Sequence, residues 1–332
     1  MANPINVAIV GAGRGRSQLR AIQALPQLFN LVAWVDLNLP LLHERIQEAG
    51  LSKDLASDSL EETLQEQEVD AVVVATWART HELLVGQALD AGKHVLVEKP
   101  YTLTLPAAKT LQDKANAAGL KVVVNQQWRY MPGQRTMRRL IAERAHGEPQ
   151  VGHMVTYKPR GGEYPDSEHS QLWQMTVHEI DSVISMMGQP IVEVAGHSFR
   201  PPATTWRRES TATAELTFQS GARVAMVSTS DSRQGSHEFR IECSKDALVY
   251  RNTHGFGGVE EVLAGSGELQ SVPIDGGDER PPLDVIVMRS WGDWINGGPE
   301  PETSGPQNLQ IIGALDALLQ STLSGQTEKV DL

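Results

Sequence analysis

The stretch that most constrains the fold runs from Asn6 to Arg16 and reads N-V-A-I-V-G-A-G-R-G-R. Its first residues are apolar or small and indicate a buried strand. Glycines follow at Gly11, Gly13 and Gly15, and residues 17–25 predict a helix. Glycines let backbone approach a phosphate closely, and the N–H groups at a helix start hold negative charge. The stretch therefore predicts a site for an anionic pyrophosphate.

The glycine pattern departs from the usual dinucleotide-binding turn, which has a third small residue where this chain has Arg16. Here the glycine comes one residue earlier, at Gly15. An ordinary turn between a strand and a helix shares these features, so the turn alone does not establish nucleotide binding. Because the ends of later strands carry matching side chains, we interpret Gly11, Gly13, Arg14 and Gly15 as cofactor contacts.

The second predicted strand, residues 31–36, ends in a carboxylate at Asp36. An acidic residue at this place hydrogen-bonds the adenosine ribose hydroxyls and repels a 2′-phosphate. We therefore expect NAD as the cofactor in preference to NADP. Arg14 and Arg16 keep NADP open, because arginines beside this site can accept that phosphate.

Strands and helices alternate with short connections through residues 1–124, which predicts a doubly wound, parallel α/β sheet. Such sheets bind ligands at the carboxyl ends of their strands. Two further strand ends carry side chains that we expect at the cofactor. They are Thr76, Trp77 and His81 in one segment, and Glu98, Lys99 and Pro100 in the other.

The second part of the chain, residues 125–332, has a different pattern. An alternating strand is predicted over residues 151–159, and seven more strands, many with period-two alternation, are predicted between residues 191 and 274. Short turns join consecutive strands, which predicts a largely antiparallel sheet. Helices are predicted over residues 283–295 and 308–323. We therefore expect two domains, 1–124 and 125–332, which a length of 332 residues allows.

Charge and cysteine content exclude several classes of protein. The net charge of −12 without a long basic run argues against nucleic acid or anionic membrane as the main partner. The single cysteine, Cys243, excludes an intrachain disulfide and favours a reducing, cytoplasmic location. The N-terminus lacks a signal-peptide pattern, and no apolar run approaches the ~20 residues of a membrane span. The histidines lack the spacing of metal ligands, so we expect no bound metal.

The combination of several segments resembles the glucose–fructose oxidoreductase and inositol dehydrogenase (Gfo/Idh/MocA) family. They are the G-A-G turn, A-G-K-H-V-L-V-E-K-P at 91–100, N-Q-Q-W-R-Y-M-P at 125–132, H-E-I-D at 178–181 and S-G-P-Q-N-L-Q-I-I-G-A-L-D-A from residue 304. The resemblance implies a Rossmann domain and an α+β domain with a large open sheet. It also implies a nicotinamide dinucleotide, a sugar, polyol or cyclitol substrate, and a homodimer or homotetramer formed through that sheet.

Lys99 is the first candidate for catalysis, because it follows a buried strand and Pro100 keeps its backbone extended. An ammonium there can hydrogen-bond the reacting oxygen of an alcohol and stabilise developing alkoxide charge. A helix predicted over residues 172–187 carries His178, whose imidazole suits a proton carrier near neutral pH. Asp181, one turn later, can orient that ring or bind a substrate hydroxyl.

The segment before His178 departs from the family pattern. Many relatives carry an aspartate one helical turn before this histidine, where this chain has Gln174 and Thr176. Glutamine can hydrogen-bond a hydroxyl but cannot carry a proton near neutral pH. Either His178 or Lys99 therefore transfers the proton of the alcohol, or the chain catalyses a different reaction from those relatives. Gln127 is a further expected cofactor contact, and Arg129, Arg160, Tyr164, Gln174, Lys99, His178 and Asp181 are the expected substrate contacts.

The loop at residues 160–165 is either a substrate lid or a simple connection. We interpret the chain as a dehydrogenase that moves a hydride between nicotinamide C4 and a secondary hydroxyl carbon. Two alternatives stay open. One is a glycosidase or lyase that uses bound NAD transiently without net NADH, and the other is a non-enzymatic, NAD-bound sugar sensor.

Overall fold

The computed structural model describes residues 3–160, 169–253, 258–276 and 281–331. They cluster into two compact units. The first unit comprises Met1–Gln127 with Pro281–Leu309, and the second comprises Trp128–Arg280 with Gln310–Leu332. The sequence suggests one boundary near residue 125, but the segment 281–309 clusters with the first unit.

The strands are β1 (Ile5–Val10), β2 (Phe29–Val35), β3 (Ala56–Ser57), β4 (Ala71–Val74), β5 (His94–Val97), β6 (Val122–Val124), β7 (Pro149–Pro159), β8 (Ile191–Phe199), β9 (Thr211–Phe218), β10 (Arg223–Thr229), β11 (Asp231–Cys243), β12 (Ala247–Asn252), β13 (Glu260–Gly265), β14 (Gln270–Ser271) and β15 (Glu328–Lys329). The α-helices are α1 (Gly15–Gln23), α2 (Leu39–Glu48), α3 (Leu60–Glu66), α4 (His81–Asp90), α5 (Leu105–Ala117), α6 (Pro132–Glu143), α7 (Val177–Met187), α8 (Leu283–Ile295) and α9 (Gly305–Ser324).

The first unit is built on a parallel sheet. Within the described residues it has six strands in the order β3-β2-β1-β4-β5-β6. All four residues of β4 are buried, as in strands covered on both faces. The predicted Rossmann-type sheet is thus confirmed. Helix α8 belongs to this unit, where the buried Trp291 stacks on Phe29 with ring centroids 5.8 Å apart.

The second unit is built on a mostly antiparallel sheet, as predicted. Its nine strands in the described part of the chain follow the order β14-β13-β12-β11-β7-β10-β9-β8-β15, and only β7 and β10 pair in parallel. On β7, Met154, Thr156 and Lys158 are buried on one face, whereas Val151 and Tyr157 are exposed on the other.

Helix α6 lies against the covered face of this sheet and was not expected from the sequence. A Cβ atom added to Gly133 would lie 2.5 Å from the ring of Tyr250 on β12, so this helix approaches the sheet closely. Pro132 and Gly133 indicate a turn in the sequence, but the first turn of a helix tolerates proline. In the part of the chain that the structure describes, no helix could cross a membrane.

Candidate functional site

The glycines of the first turn have different tasks. Gly11 has a φ of +108°, and a Cβ there would lie 2.5 Å from the carbonyl oxygen of Ala75. At Gly15, the first residue of α1, a Cβ would lie 2.9 Å from Ile9 Cγ2 and 3.1 Å from Trp34 Nε1. Gly15 therefore allows the close packing of helix on strand that the third glycine of the usual motif allows.

The backbone around Gly13 fits the pyrophosphate of a dinucleotide. No described atom lies within 4 Å of a Cβ position at Gly13. Among the described residues, no side chain caps the start of α1 at Arg14, and its first turn holds no acidic residue. The first N–H groups of a helix have no partner inside the helix and carry the positive end of its dipole. The open backbone and this helix start together suit an anionic ligand.

Asp36 is bonded to the glycine turn. Its Oδ2 atom accepts a hydrogen bond of 2.6 Å from the backbone N–H of Ala12, and its Oδ1 atom accepts one of 2.8 Å from Asn38. The carboxylate is half-buried and directly follows β2. It therefore stands where the sequence predicts a ribose-binding acid, and it also supports the turn.

Arg16 is paired with helix α2. Its Nη2 atom lies 3.4 Å from Oε2 of Glu48, and both side chains are about half exposed. The same carboxylate also lies 2.9 Å from Arg45. Glu48 therefore competes with any phosphate for the charge of Arg16.

Glu98 is a buried hydrogen-bond centre at the end of β5. Its Oε1 atom accepts bonds from Arg14 Nη2 at 3.1 Å, Gln18 Nε2 at 2.8 Å and Asn125 Nδ2 at 3.0 Å. Asn125 Nδ2 also donates to Asp284 at the start of α8, and burial raises the pKa of that aspartate. Glu98 therefore connects the glycine turn to the strand ends around it.

His81 bridges two strand ends through their backbone. Its Nδ1 atom lies 2.7 Å from the carbonyl oxygen of Pro100, and its Nε2 atom lies 3.3 Å from that of Thr76. Burial lowers the pKa of His81, so the neutral ring donates to only one carbonyl, and the shorter distance favours Pro100. The ring thus fixes the backbone beside Lys99. Its contact with a cofactor stays a prediction.

The other predicted cofactor residues of the first unit differ in exposure. Lys99 is half-buried and lies two residues beyond β5. Trp77 is 60% exposed, while the hydroxyl of Thr76 is 2.8 Å from that of Thr80. Gln127 is half-buried. Their cofactor contacts stay predictions.

His178 lies on α7 in the second unit and stacks on Trp128. The ring centroids are 4.4 Å apart and the planes are inclined by 12°. Lys158 Nζ lies 5.0 Å from the centroid of the Trp128 ring, and His237 approaches edge-on at 5.6 Å. Trp128 thus orients three titratable side chains through stacking and cation–π contacts.

Lys158 and Glu179 form a buried ion pair beside this cluster. Lys158 Nζ is 2.7 Å from Glu179 Oε1 and donates to the carbonyl oxygen of Met175 at 3.2 Å. Burial lowers the pKa of Lys158, and the charge of Glu179 opposes that shift. Removing one partner would leave the other charge buried and unpaired.

Arg129 and Asp181 were expected separately as substrate contacts, and the structure pairs them with each other. Arg129 Nε donates to Asp181 Oδ1 at 2.9 Å, and Arg129 Nη2 donates to the same oxygen. Both side chains are buried. This pair fixes α7 close to His178. The substrate contacts and the catalytic role of Asp181 stay predictions.

The segment before α7 is a π-helix, Gln171–Thr176. The N–H of Val177 donates to the carbonyl of Leu172, five residues back. Such a turn changes the phase of the helix, so Gln174 does not lie one regular α-helical turn before His178. Gln174 is half-buried, and π-helical turns are frequent at functional sites.

A cavity of about 200 Å³ opens in the second unit beside Trp128. Lys158, Arg160 and His237 are its ionisable side chains other than Tyr157, and no described Asp or Glu lines it. The remaining wall residues are Met131, Thr156, Pro159, Gly235 and Asn252. Tyr164 and residues 161–165 of the predicted lid lie outside the described residues.

Comparisons with known proteins agree with this geometry. The sequence model of an oxidoreductase family with an NAD-binding Rossmann fold, GFO_IDH_MocA, matches residues 5–126, and its C-terminal domain model matches residues 134–249. Together they cover more than half of the chain. The chain belongs to the Gfo/Idh/MocA oxidoreductase family. The predicted resemblance, the enzyme class and the NAD-binding domain are thereby confirmed.

The relatives of this Gfo/Idh/MocA chain include proteins named as sugar and cyclitol oxidoreductases. The chain is 26% identical over 292 residues to 1,5-anhydro-D-fructose reductase of Ensifer adhaerens, covering 86% of each chain. It is 27% identical over 179 residues to inositol 2-dehydrogenase of Azotobacter vinelandii, covering 53% of this chain and 52% of that one. The fold matches the WlbA dehydrogenase of Bordetella pertussis, crystallised with NADH and UDP-GlcNAcA, with a TM-score of 0.83, 21% identity and 99% coverage of both chains.

Sequence reasoning missed part of this family member's second-unit site. Trp128, Lys158, Glu179 and His237 were not singled out, although they form the cluster around His178. Lys158 lies on an alternating strand, but the alternation does not show which face of that strand is buried. Among the described residues, no group of three or more His, Cys, Asp or Glu side chains is placed to hold a metal.

Proposed function

We propose that the chain uses NAD to oxidise a secondary hydroxyl of a sugar, polyol or cyclitol, or to reduce the corresponding ketone. The observation that carries this proposal is the setting of Lys99. It follows β5 of the NAD-binding domain, between Glu98 and the backbone of Pro100 that His81 fixes. Bound NAD supplies the hydride acceptor or donor.

The protein's own groups have distinct tasks in the proposed reaction. Lys99 holds the reacting oxygen and stabilises its developing negative charge. His178 carries the proton, because its ring is held against Trp128 in a fixed orientation. Asp181 lies on α7 and pairs with Arg129, which holds the helix that carries His178. Gln174 offers an amide to a substrate hydroxyl but does not take a proton.

NAD is the proposed dinucleotide in preference to NADP. Asp36 places a carboxylate after β2, where a 2′-phosphate would be repelled. Arg16, the residue that could offset this repulsion, is engaged with Glu48. Arg14 is bonded to the buried Glu98. Both arginines therefore have acidic partners of their own.

The uncovered face of the second-unit sheet is the proposed contact for a homodimer or homotetramer. Phe199, Thr211, Thr229 and Tyr157 are opposite one another on four adjacent strands, so they share one face. Phe199 and Tyr157 are both 41% exposed, and Val151 on the same face is 56% exposed. Exposed aromatic and aliphatic side chains on a broad sheet favour association with a second copy. A cytoplasmic location remains part of the proposal on the basis of the single cysteine.

The function can be tested with the purified chain, NAD and a panel of polyols, aldoses and inositol. A parallel reaction uses NADH with 1,5-anhydro-D-fructose. Substrate-dependent change in the absorbance of reduced nicotinamide is the expected result. Cleavage of an added aryl glycoside without net NADH would instead establish the redox-neutral alternative that Gln174 suggests. Absence of any turnover across the panel would contradict the proposed oxidoreductase activity.

A further inference from the structure

We propose that the cavity beside Trp128 binds an anionic group, so that the substrate is an acidic sugar or a sugar phosphate. This inference rests on the proposed dehydrogenase function and names its substrate class. The cavity lies within the second unit, and its walls are formed mainly by β7, β11 and the segment that begins with Trp128.

The charge of the cavity wall is opposite to that of the whole chain. The chain has 41 acidic and 29 basic residues and a net charge of −12. The described wall nevertheless carries the exposed Arg160 and also Lys158, which is paired with the buried Glu179, and it has no acidic side chain. A cavity lined by one sign of charge concentrates ligands of the opposite sign. The wall therefore favours a negatively charged ligand over a neutral one.

Lys158 is a buried lysine at the wall of this cavity. The residue is only 8% exposed, yet it lies at the cavity. An ammonium has three N–H donors, and the structure gives Lys158 Nζ two oxygen neighbours, on Glu179 and Met175. The third donor meets no further oxygen among the described residues and lies near the face of the Trp128 ring, 5.0 Å away, so it can turn to a ligand oxygen. Burial lowers the pKa of Lys158, and the carboxylate of Glu179, 2.7 Å away, opposes that shift.

His237 adds a neutral donor. It is only 4% exposed, and its Nε2 atom has no hydrogen-bond partner among the described residues. Its Nδ1 atom is 2.7 Å from the hydroxyl of the buried Thr156. Burial and the charge of Lys158 lower the pKa of His237 to about 3, so the ring is neutral. If the hydroxyl donates to Nδ1, the proton of the ring is on Nε2, where it can bind a ligand oxygen.

Arg160 supplies the outer contact. It follows β7 two residues after Lys158, its side chain is exposed, and it lines the same cavity. A guanidinium presents parallel N–H donors that match the two oxygens of a carboxylate or phosphate. The exposed Arg160 and the buried Lys158 and His237 thus line one cavity of about 200 Å³.

Ligand-induced thermal stabilisation tests the inference independently of turnover. The full chain is heated with saturating NAD at constant ionic strength. The probes are D-glucuronate, D-gluconate, D-glucose 6-phosphate and neutral D-glucose. We expect at least one anion to raise the Tm in a saturable manner, and D-glucose to raise it much less. The probe that raises the Tm shows whether the cavity prefers a carboxylate or a phosphate. Equal stabilisation by D-glucose, or none by any anion, would overturn the inference.

Two variants locate the effect. Arg160→Met should raise the Kd of the stabilising anion at least tenfold. The double variant Lys158→Met with Glu179→Gln removes the buried ion pair as a whole, so no lone charge is left buried. It should raise the Kd of the anion by a similar factor. Arg223→Met, which removes an exposed arginine paired with Glu215 on the sheet, is the matched control. Unchanged anion affinity in both test variants would overturn the inference.

Turnover separates this inference from the function on which it rests. A higher kcat/KM for the acidic sugar than for D-glucose, with that preference reduced in Arg160→Met, supports both. Equal kcat/KM for acidic and neutral sugars overturns the acidic substrate class and leaves the dehydrogenase intact. Anion binding that depends on Arg160, without NADH formation from any probe, supports the cavity assignment and counts against the function.

Discussion

The carboxylate of Asp36 accepts a 2.6 Å hydrogen bond from the backbone N–H of Ala12. This bond joins the end of β2 to the glycine turn after β1. One side chain thus shapes the turn and also places a negative charge at the predicted ribose position. These two tasks can be separated by substitution.

Asp36→Asn keeps an acceptor for Ala12 but removes the charge. We expect the affinity for NAD to fall about 10- to 150-fold, because a hydrogen bond to a charged group contributes roughly 1.5–3 kcal/mol and about 1.4 kcal/mol is tenfold. The affinity for NADP should rise, since its 2′-phosphate is no longer repelled. The ratio of the two Kd values, measured by fluorescence of the reduced cofactors, is the readout. Asp58→Asn, at an exposed site, is the control. A wild-type preference for NADP would contradict the role given to Asp36.

Gly15→Ala and Gly13→Ala form a matched pair. The added methyl group at residue 15 meets Ile9 and Trp34, so overpacking should destabilise the fold by about 1–3 kcal/mol, less the small helix-propensity gain of alanine. At residue 13 the methyl group meets nothing described, so Tm should hold while NAD binds more weakly. Denaturant unfolding and NAD titration test the pair. The reverse pattern would show that the two glycines have been assigned the wrong tasks.

His237 makes stability depend on pH. Its folded pKa is about 3 because the ring is buried, and the ordinary histidine value is 6.5. Below pH 6.5 the unfolded chain binds a proton that the folded chain does not, so the free energy of unfolding falls on acidification. His237→Gln should reduce that slope between pH 6 and pH 4, by up to about 1.4 kcal/mol per pH unit. His197→Gln, at an exposed site, should leave it unchanged. Equal slopes in wild type and His237→Gln would refute the buried neutral ring.

The open face of the second-unit sheet predicts association. Wild-type protein should sediment as a dimer or tetramer. Phe199→Glu combined with Val151→Glu should shift it towards the monomer, because buried carboxylates at an interface lose hydration without gaining partners. Sedimentation velocity measures the shift, and Glu193→Gln on the same strand serves as a mild control. A monomeric wild-type protein would contradict the proposed interface.

Local patterns made much of the first unit predictable. The buried strand, the glycines and Asp36 lie close together in sequence and form one parallel-sheet corner. What the sequence did not reveal is that Gly15 replaces the missing third glycine. That role depends on Trp34, a residue of the neighbouring strand that fills the space a side chain at residue 15 would need.

The second-unit cluster was less accessible to sequence reasoning. On β7 the outward residues Val151 and Tyr157 are as apolar as the inward residues Met154 and Thr156. Alternation therefore shows a strand without showing which face is buried. Lys158 consequently gave no clear signal. Because α7 is buried on every side, its two carboxylates also need partners from distant segments. Asp181 finds Arg129, 52 residues away, which one sequence alone does not indicate.

The most direct test of the central claim is hydride transfer in Lys99→Ala, measured by single-turnover formation of NADH with the best substrate of the panel. We predict that, at saturating NAD, the rate falls about 10²- to 10³-fold, the usual contribution of a donor that stabilises developing negative charge on oxygen. Lys53→Ala, at an exposed site in the same unit, should react at the wild-type rate. A wild-type rate of hydride transfer in Lys99→Ala would contradict the account.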